Sequence, residues 1–241
     1  MQVFKVGDLK RYGLDHETLS SRHPDLIYCS VTGFGQTGPY SDRAGYDYAV
    51  QGMGGLMSVT GERDDLGGGP QKVGVAVADL FTGMYASVGI LAALRHAEKT
   101  GIGQHIDMAL LDTQVAMLAN LGANYLVSGT NQARVRHRDV LVPILAATLK
   151  TRTKTDWLRA LEAAKVPCGA INNLAEVFSD PHVQSRGMVS NWQHPVGGSV
   201  NLVASPLKLS LTPVRQDHPP PLLGEHTDAV LSEVLGYGPA D

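Results

Sequence analysis

The 241-residue sequence predicts an α/β fold. Residues 26–32 are rich in β-branched and aromatic side chains and end at glycines, which is typical of a buried strand. Residues 104–108 form a second strand candidate. Between the two runs, apolar side chains keep helical spacing from residue 75 until Lys99-Thr-Gly101, where a basic residue and a glycine mark the end of a helix. Helices and strands therefore alternate along the chain.

The other elements follow from periodicity and from breaker residues. The remaining predicted helices cover residues 14–21, 46–57, 110–127, 139–149, 156–164, 174–178 and 225–235. Thr155 is the cap candidate of the helix over 156–164. Residues 61–71 are hydrophilic and glycine-rich, which predicts a surface loop, and residues 188–211 alternate as antiparallel strands do.

Composition excludes several classes of protein. The chain has 20 Lys and Arg against 23 Asp and Glu. Because basic residues are not in excess, we expect no nucleic-acid partner. The apolar stretch 73–94 is interrupted by Asp79 and three glycines, which predicts a buried helix of a soluble protein and no membrane partner. With no secretory signal and only Cys29 and Cys168, we expect a cytoplasmic protein without disulfides.

Gly33-Phe-Gly-Gln-Thr-Gly38 matches the G-x-G-x-x-G pattern after a strand. In a dinucleotide-binding fold this loop opens directly into a helix, whereas Pro39 and polar residues follow here. The context therefore argues against a nicotinamide or flavin cofactor. Two alternatives remain for this loop: a tight turn at a strand end, and a loop that lets a ligand approach the main chain.

Asp79 falls in the first turns of the long helix, among apolar residues and without Lys or Arg within four positions. A carboxylate at a helix start is stabilised by the helix dipole, and the residues by themselves favour this structural role. The alternative is a desolvated carboxylate that acts as a nucleophile. The histidines lack metal-ligand spacing, and neither a G-x-S-x-G elbow nor a cysteine signature is present, so no metal site is predicted.

Four motifs occur in the order found in one enzyme family. They are Cys29-Ser-Val-Thr-Gly-Phe-Gly-Gln-Thr-Gly-Pro39, Arg43-Ala-Gly-Tyr-Asp47, Ala78-Asp-Leu-Phe-Thr-Gly-Met-Tyr85 and Lys99-Thr-Gly-Ile-Gly-Gln104. By these motifs the sequence resembles the class III CoA-transferases (CaiB/BaiF type), most of all the branch of the succinyl-CoA:glutarate CoA-transferases. Segments 166–173, 180–184 and 220–227 agree with the same family.

The resemblance implies a site and a reaction. Asp79 would be the nucleophile that forms an aspartyl anhydride and then an aspartyl-CoA thioester. CoA would move from an acyl-CoA donor to a free carboxylic acid, for which a dicarboxylic acid is one candidate. The implied CoA-binding residues are Gly33, Phe34, Gly35, Gln36, Thr37, Gly38, Pro39 and Tyr46. CoA thioester is then a substrate, and no prosthetic group is needed. Backbone N–H groups of residues 33–36 or of the Asp79 helix start are candidate oxyanion donors.

Two alternatives to a transferase stay open. One is an acyl-CoA racemase or epimerase of the same family, although Tyr46 stands where the racemase branch has histidine. The other is a catalytically inactive fragment that acts as a binding module.

The resemblance also implies an architecture. We expect the remnant of a Rossmann-like large domain plus part of a smaller α+β domain, from a family that forms interlocked dimers, so a homodimer or higher oligomer is the expected partner state. The implied domains are a large-domain portion over residues 1–130, a small-domain remnant over 131–190, and a segment over 191–241 that returns to the large domain. Relative to the family, the sequence starts late and lacks a segment near Thr130.

Overall fold

The computed structural model describes residues 6–62, 67–129, 138–214, 218–234, 236 and 238. Contacts divide the chain into two compact units, Met1–Val140 and Leu141–Asp241. Helices and strands alternate in the first unit, which confirms the predicted α/β class.

The first unit is built on two parallel strands. Strand β1 (Ile27–Thr32) pairs with strand β2 (Gln104–Ala109) in a register that runs from Ile27 opposite Gln104 to Thr32 opposite Ala109. Both strands were predicted, and within the described residues they pair only with each other. The helices of this unit are α1 (His16–Arg22), α2 (Asp47–Met53), α3 (Val77–Thr100), α4 (Leu110–Met117) and α5 (Ala119–Ser128), with 3₁₀ turns at Lys10–Tyr12 and Leu56–Val59.

Helix α3 connects the strands and packs on the sheet through small side chains. Its buried residues are Ala78, Thr82, Ala86 and Ala93. Gly89 lies so close to the sheet that a Cβ there would be 3.6 Å from Ile106. By length and composition α3 could cross a membrane (mean hydropathy 1.6), a criterion that core helices of soluble proteins also meet.

A small apolar core lies where the strands end. Val50 of α2, Ala78 of α3 and Leu110 of α4 are almost completely buried, and Val31 and Leu111 pack against them. The start of α3, which carries Asp79, is therefore fixed to the helices that follow both strands.

The helix predicted over 110–127 is interrupted in the structure. Leu118 N donates to Val115 O at 3.2 Å, a tightened turn that breaks the regular hydrogen-bond ladder between α4 and α5. Ala119 has a positive φ of 33°, so the chain changes direction at a residue that is neither glycine nor proline and that the sequence does not mark as a helix end.

The second unit combines short helices with one hairpin. Strands β3 (Val189–His194) and β4 (Gly198–Val203) pair antiparallel, which confirms the pattern predicted within 188–211. The helices are α6 (Arg138–Leu149), whose first three residues belong to the first unit, α7 (Lys154–Ala163), α8 (Leu174–Ser179), α9 (Pro181–Ser185) and α10 (Thr227–Ala229), followed by a short π-helix at Val230–Val234. Thr155 was the wrong cap for α7. Thr153 is the cap, because its side chain accepts from Asp156 N.

Candidate active site

The glycine loop, residues 33–38, leaves the end of β1 and is held by three hydrogen bonds. Gly35 N donates to Thr32 Oγ1 at 2.9 Å, and Gln36 N donates to Asp107 Oδ2 at 2.9 Å. Leu111 N, at the start of α4, donates to Gly33 O at 3.1 Å. The first half of the loop is therefore tied to both strands' ends.

Gly33 and Gly45 are in direct backbone contact. A Cβ on either residue would overlap the Cα of the other, so both positions require glycine. This contact closes the segment between them and brings residues 46 and 47, at the start of α2, to the beginning of the glycine loop.

The second half of the loop is open to solvent. Thr37, Gly38 and Pro39 are exposed, and Gly38 has a φ of 94° with free space where a Cβ would stand. Phe34 meets the ring of Tyr40 edge-on, with ring centroids 5.6 Å apart. The tip is thus accessible, and an aromatic contact supports its base.

Asp79 is a half-buried carboxylate in the first turn of α3. Within the described residues it forms no ion pair and accepts no hydrogen bond. Desolvation raises the pKa of Asp79 above its usual value, and the negative charge of Asp47 raises it further. A carboxylate in this setting is more basic and more nucleophilic than one in water.

Asp47 and the fully buried Gln51 fix the approach to α3. Asp47 Oδ1 accepts from Ala78 N at 2.9 Å and its Oδ2 accepts from Gln51 Nε2 at 2.7 Å. Gln51 Oε1 accepts from Val73 N at 2.9 Å. Asp47 therefore caps α3 from the neighbouring helix and determines where Asp79 lies.

Tyr46 immediately precedes Asp47 as the N-cap of α2, and 72% of its surface is exposed. The structure brings together three of the motifs noted in the sequence. The glycine loop touches Gly45, and Asp47 bonds the turn that carries Asp79.

Sequence reasoning missed the supporting residues. Gly35 N and Gln36 N already have acceptors within the protein. The expectation that N–H groups of residues 33–36 or of the Asp79 helix start act as oxyanion donors stays a prediction. Asp107 received no role because the contact joins residues 71 positions apart. Asp47 was missed for the same reason, since it caps α3 and not its own helix, through a contact between residues 31 positions apart. Within the described residues no three His, Cys, Asp or Glu side chains could hold a metal ion.

The chain matches a known protein family over most of its length. The model of CoA-transferase family III matches residues 1–133 and 127–227. The chain belongs to CoA-transferase family III. The predicted family and enzyme class are thereby confirmed.

Individual relatives are similar over almost the whole chain. A succinate–glutarate CoA-transferase of Agrobacterium fabrum (strain C58) is 43% identical over 289 positions, which cover 97% of this chain and 72% of that protein. The human succinyl-CoA:glutarate CoA-transferase is 34% identical, with 98% of this chain and 66% of the human protein covered. A crystal structure of a CaiB/BaiF family protein from Brucella suis is 37% identical with a TM-score of 0.84, and the match covers 96% of this chain and 74% of that one.

The matches also show an internal gap. The alignment with the Agrobacterium protein has 289 positions although this chain has 241 residues, so dozens of the relative's residues have no counterpart here. The family model matches in two segments that meet at residues 127–133, where the sequence predicts the missing segment near Thr130. Residues 130–137 themselves lie outside the described part of the chain.

Proposed function

We propose that this family III enzyme transfers CoA from an acyl-CoA donor to a free carboxylic acid with Asp79 as the nucleophile. The observation that carries the proposal is the setting of Asp79: a desolvated carboxylate in the first turn of α3 that forms no ion pair within the described residues, on a segment that Asp47 connects to the neighbourhood of the glycine loop. Family membership supplies the reaction class.

The reaction is a sequence of acyl exchanges. The Asp79 carboxylate attacks the thioester carbonyl, the C–S bond breaks, and a mixed anhydride and CoA thiolate form. The thiolate attacks the aspartyl carbonyl, which releases the donor acid and leaves an aspartyl-CoA thioester. The acceptor carboxylate then attacks this thioester, giving a second anhydride and thiolate. Attack of the thiolate on the acceptor's acyl carbon yields the new acyl-CoA and frees Asp79.

The glycine loop would bind the thioester portion of the substrate. The proposed binding residues are Gly33, Phe34, Gly35, Gln36, Thr37, Gly38, Pro39 and Tyr46. The exposed tip at Thr37, Gly38 and Pro39 supports direct contact with substrate, whereas the buried Gly33 and Gly35 would act by shaping the loop. Exposed Tyr46, beside Asp47, would orient the thioester.

We propose a dicarboxylate as acceptor. Relatives that align with nearly all of this chain are named for succinate with glutarate and for succinyl-CoA with mesaconate. Their names describe CoA transfer, which supports transfer over the alternative of racemisation.

We also propose that the chain works as a homodimer or higher oligomer. One face of α3 exposes a stripe of large apolar side chains, here named the α3 stripe, formed by Leu80, Met84, Val88 and Leu91. A second copy that covers this stripe would remove it from water. Its location in the cytoplasm stays a prediction.

Trapping of the acyl enzyme tests the nucleophile. We expect incubation with succinyl-CoA, followed by hydroxylamine, to leave a hydroxamate on Asp79 that peptide mass spectrometry locates. Asp79→Asn should form no adduct and lose transfer by about 10³-fold or more, since the nucleophile itself is gone. Asp112→Asn is the matched control, because Asp112 also lies in the first turn of a helix, α4. An adduct elsewhere, or substantial transfer by Asp79→Asn, would refute the assignment.

A further inference from the structure

The two-stranded sheet has a polar face turned away from α3. Side chains alternate between the faces of a strand, and Ile106 faces Gly89 of α3. Its neighbours His105 and Asp107 therefore point to the opposite face, together with Ser30, which pairs with Asp107 in the register. On this face Ser30 Oγ lies 2.9 Å from His105 Nε2.

Asp107 reaches from this face to the glycine loop. Its Oδ2 accepts from Gln36 N at 2.9 Å. The same oxygen would lie 3.5 Å from a Cβ on Gly35, whose φ of 87° turns the chain at this point. The carboxylate thus packs against one loop residue and bonds the next.

The contact with Gln36 is the one hydrogen bond that the Asp107 carboxylate makes within the described residues. Asp107 itself is exposed, so its charge is not buried and needs no compensation by the fold. The sheet ladder is backbone-to-backbone and does not depend on this side chain. Its charge also acts on the neighbouring His105 and Cys29, but neither is a hydrogen-bond partner of the carboxylate.

We propose that Asp107 is a positioning residue for acyl-CoA binding. Together with Thr32 it fixes the N–H groups of two consecutive loop residues, Gly35 and Gln36, and thereby sets the direction in which Thr37, Gly38 and Pro39 project. The Asp107 side chain lies on the sheet face opposite α3, and Asp79 is positioned by a different side chain, Asp47. Asp107 therefore acts on substrate binding and not on the nucleophile. This inference rests on the proposed function of the glycine loop.

Steady-state kinetics of the full chain test the role. We expect Asp107→Ala to raise KM for succinyl-CoA about tenfold and to leave kcat within about twofold. The loop contacts to substrate that it weakens would be made equally in the ground state and in the transition state, and loss of such contacts raises KM alone. Asp107→Asn keeps an oxygen that can accept from Gln36 N and should restore most of the affinity. Ser30→Ala is the matched control, because it alters the paired position on the same sheet face without a contact to the loop, and it should leave KM unchanged.

A second readout does not depend on turnover. Trypsin cleavage of the native protein between Arg43 and Ala44, followed by mass spectrometry, should be faster in Asp107→Ala than in the wild type and unchanged in Ser30→Ala, because a released loop is more accessible. An unchanged cleavage rate in Asp107→Ala overturns the inference whether or not the enzyme turns over. Equal KM values, parallel loss of kcat and thermal stability, or an equal effect of Ser30→Ala also overturn it. Absence of the Asp79 adduct in the wild type refutes the proposed function instead.

Discussion

At the scale of single residues, Asp47 has two effects on Asp79 that act together. Its carboxylate bonds Ala78 N and so places the first turn of α3. Its negative charge adds to desolvation in raising the pKa of Asp79. The position and the basicity of the proposed nucleophile thus depend on one neighbouring side chain.

This arrangement predicts a shifted pH profile for Asp47→Asn. A carboxylate acts as a nucleophile only when ionised, so with Asp79 in the proposed role we expect activity to fall as the pH drops through its raised pKa. Removal of the like charge lowers that pKa, and the acid limb of kcat/KM should therefore move to lower pH. The plateau of kcat/KM should fall severalfold, because Asn at position 47 keeps only one of the two hydrogen bonds of Asp47 and because Asp79 becomes less basic.

Asp42→Asn is the control for that profile. Asp42 is exposed in the same segment and contributes nothing to the pKa of Asp79, so its removal changes net charge alone. An acid limb that stays in place in Asp47→Asn, or that moves equally in Asp42→Asn, would contradict the coupling.

The residue scale also shows what sequence could and could not predict. Asp79 was recognisable because its signals are local: a helix start, apolar neighbours and a motif within eight residues. Asp107 and Gln36 are 71 positions apart, and their contact depends on strand register and on the left-handed turn at Gly35. No local pattern contains that information.

At the scale of elements, α3 and the strands were predictable, whereas the contact between the segments that follow β1 and precede α2 was not. Helical spacing and the Gly101 end located α3 to within two residues of its observed bounds. The contact between Gly33 and Gly45 depends on how the segment after β1 returns to the start of α2, which a pattern of two glycines does not specify.

We expect Gly33→Ala to lower the free energy of unfolding by about 1–3 kcal/mol, because the added methyl group meets the Gly45 backbone, which cannot yield as a side chain can. The measurement is urea unfolding at one protein concentration. Gly83→Ala is the opposite case: a Cβ there meets nothing within 4 Å, and alanine in a helix interior should stabilise by about 0.5–1 kcal/mol. Equal effects of the two substitutions would show that the contact at Gly33 is not tight.

At the scale of the whole molecule, the first unit exposes large apolar side chains of α3, among them the α3 stripe. At 100° per residue, Leu80, Met84, Val88 and Leu91 lie on the side opposite to the buried small residues of the same helix. A helix that is apolar on all sides is typical of an element enclosed by protein.

Association through the α3 stripe can be tested by charge. We expect the wild-type chain to sediment as a dimer or larger species, and Leu91→Lys to shift it towards monomer at the same concentration, because a desolvated ammonium group at the contact has no counter-ion. Ala92→Lys adds the same charge to the same helix at an exposed flanking position and should leave the species unchanged. A monomeric wild type would contradict the proposed oligomer. An oligomer that Leu91→Lys leaves intact would place the interface elsewhere, and the stripe would then need a different cover, such as the segment that relatives carry and this chain lacks near residue 130.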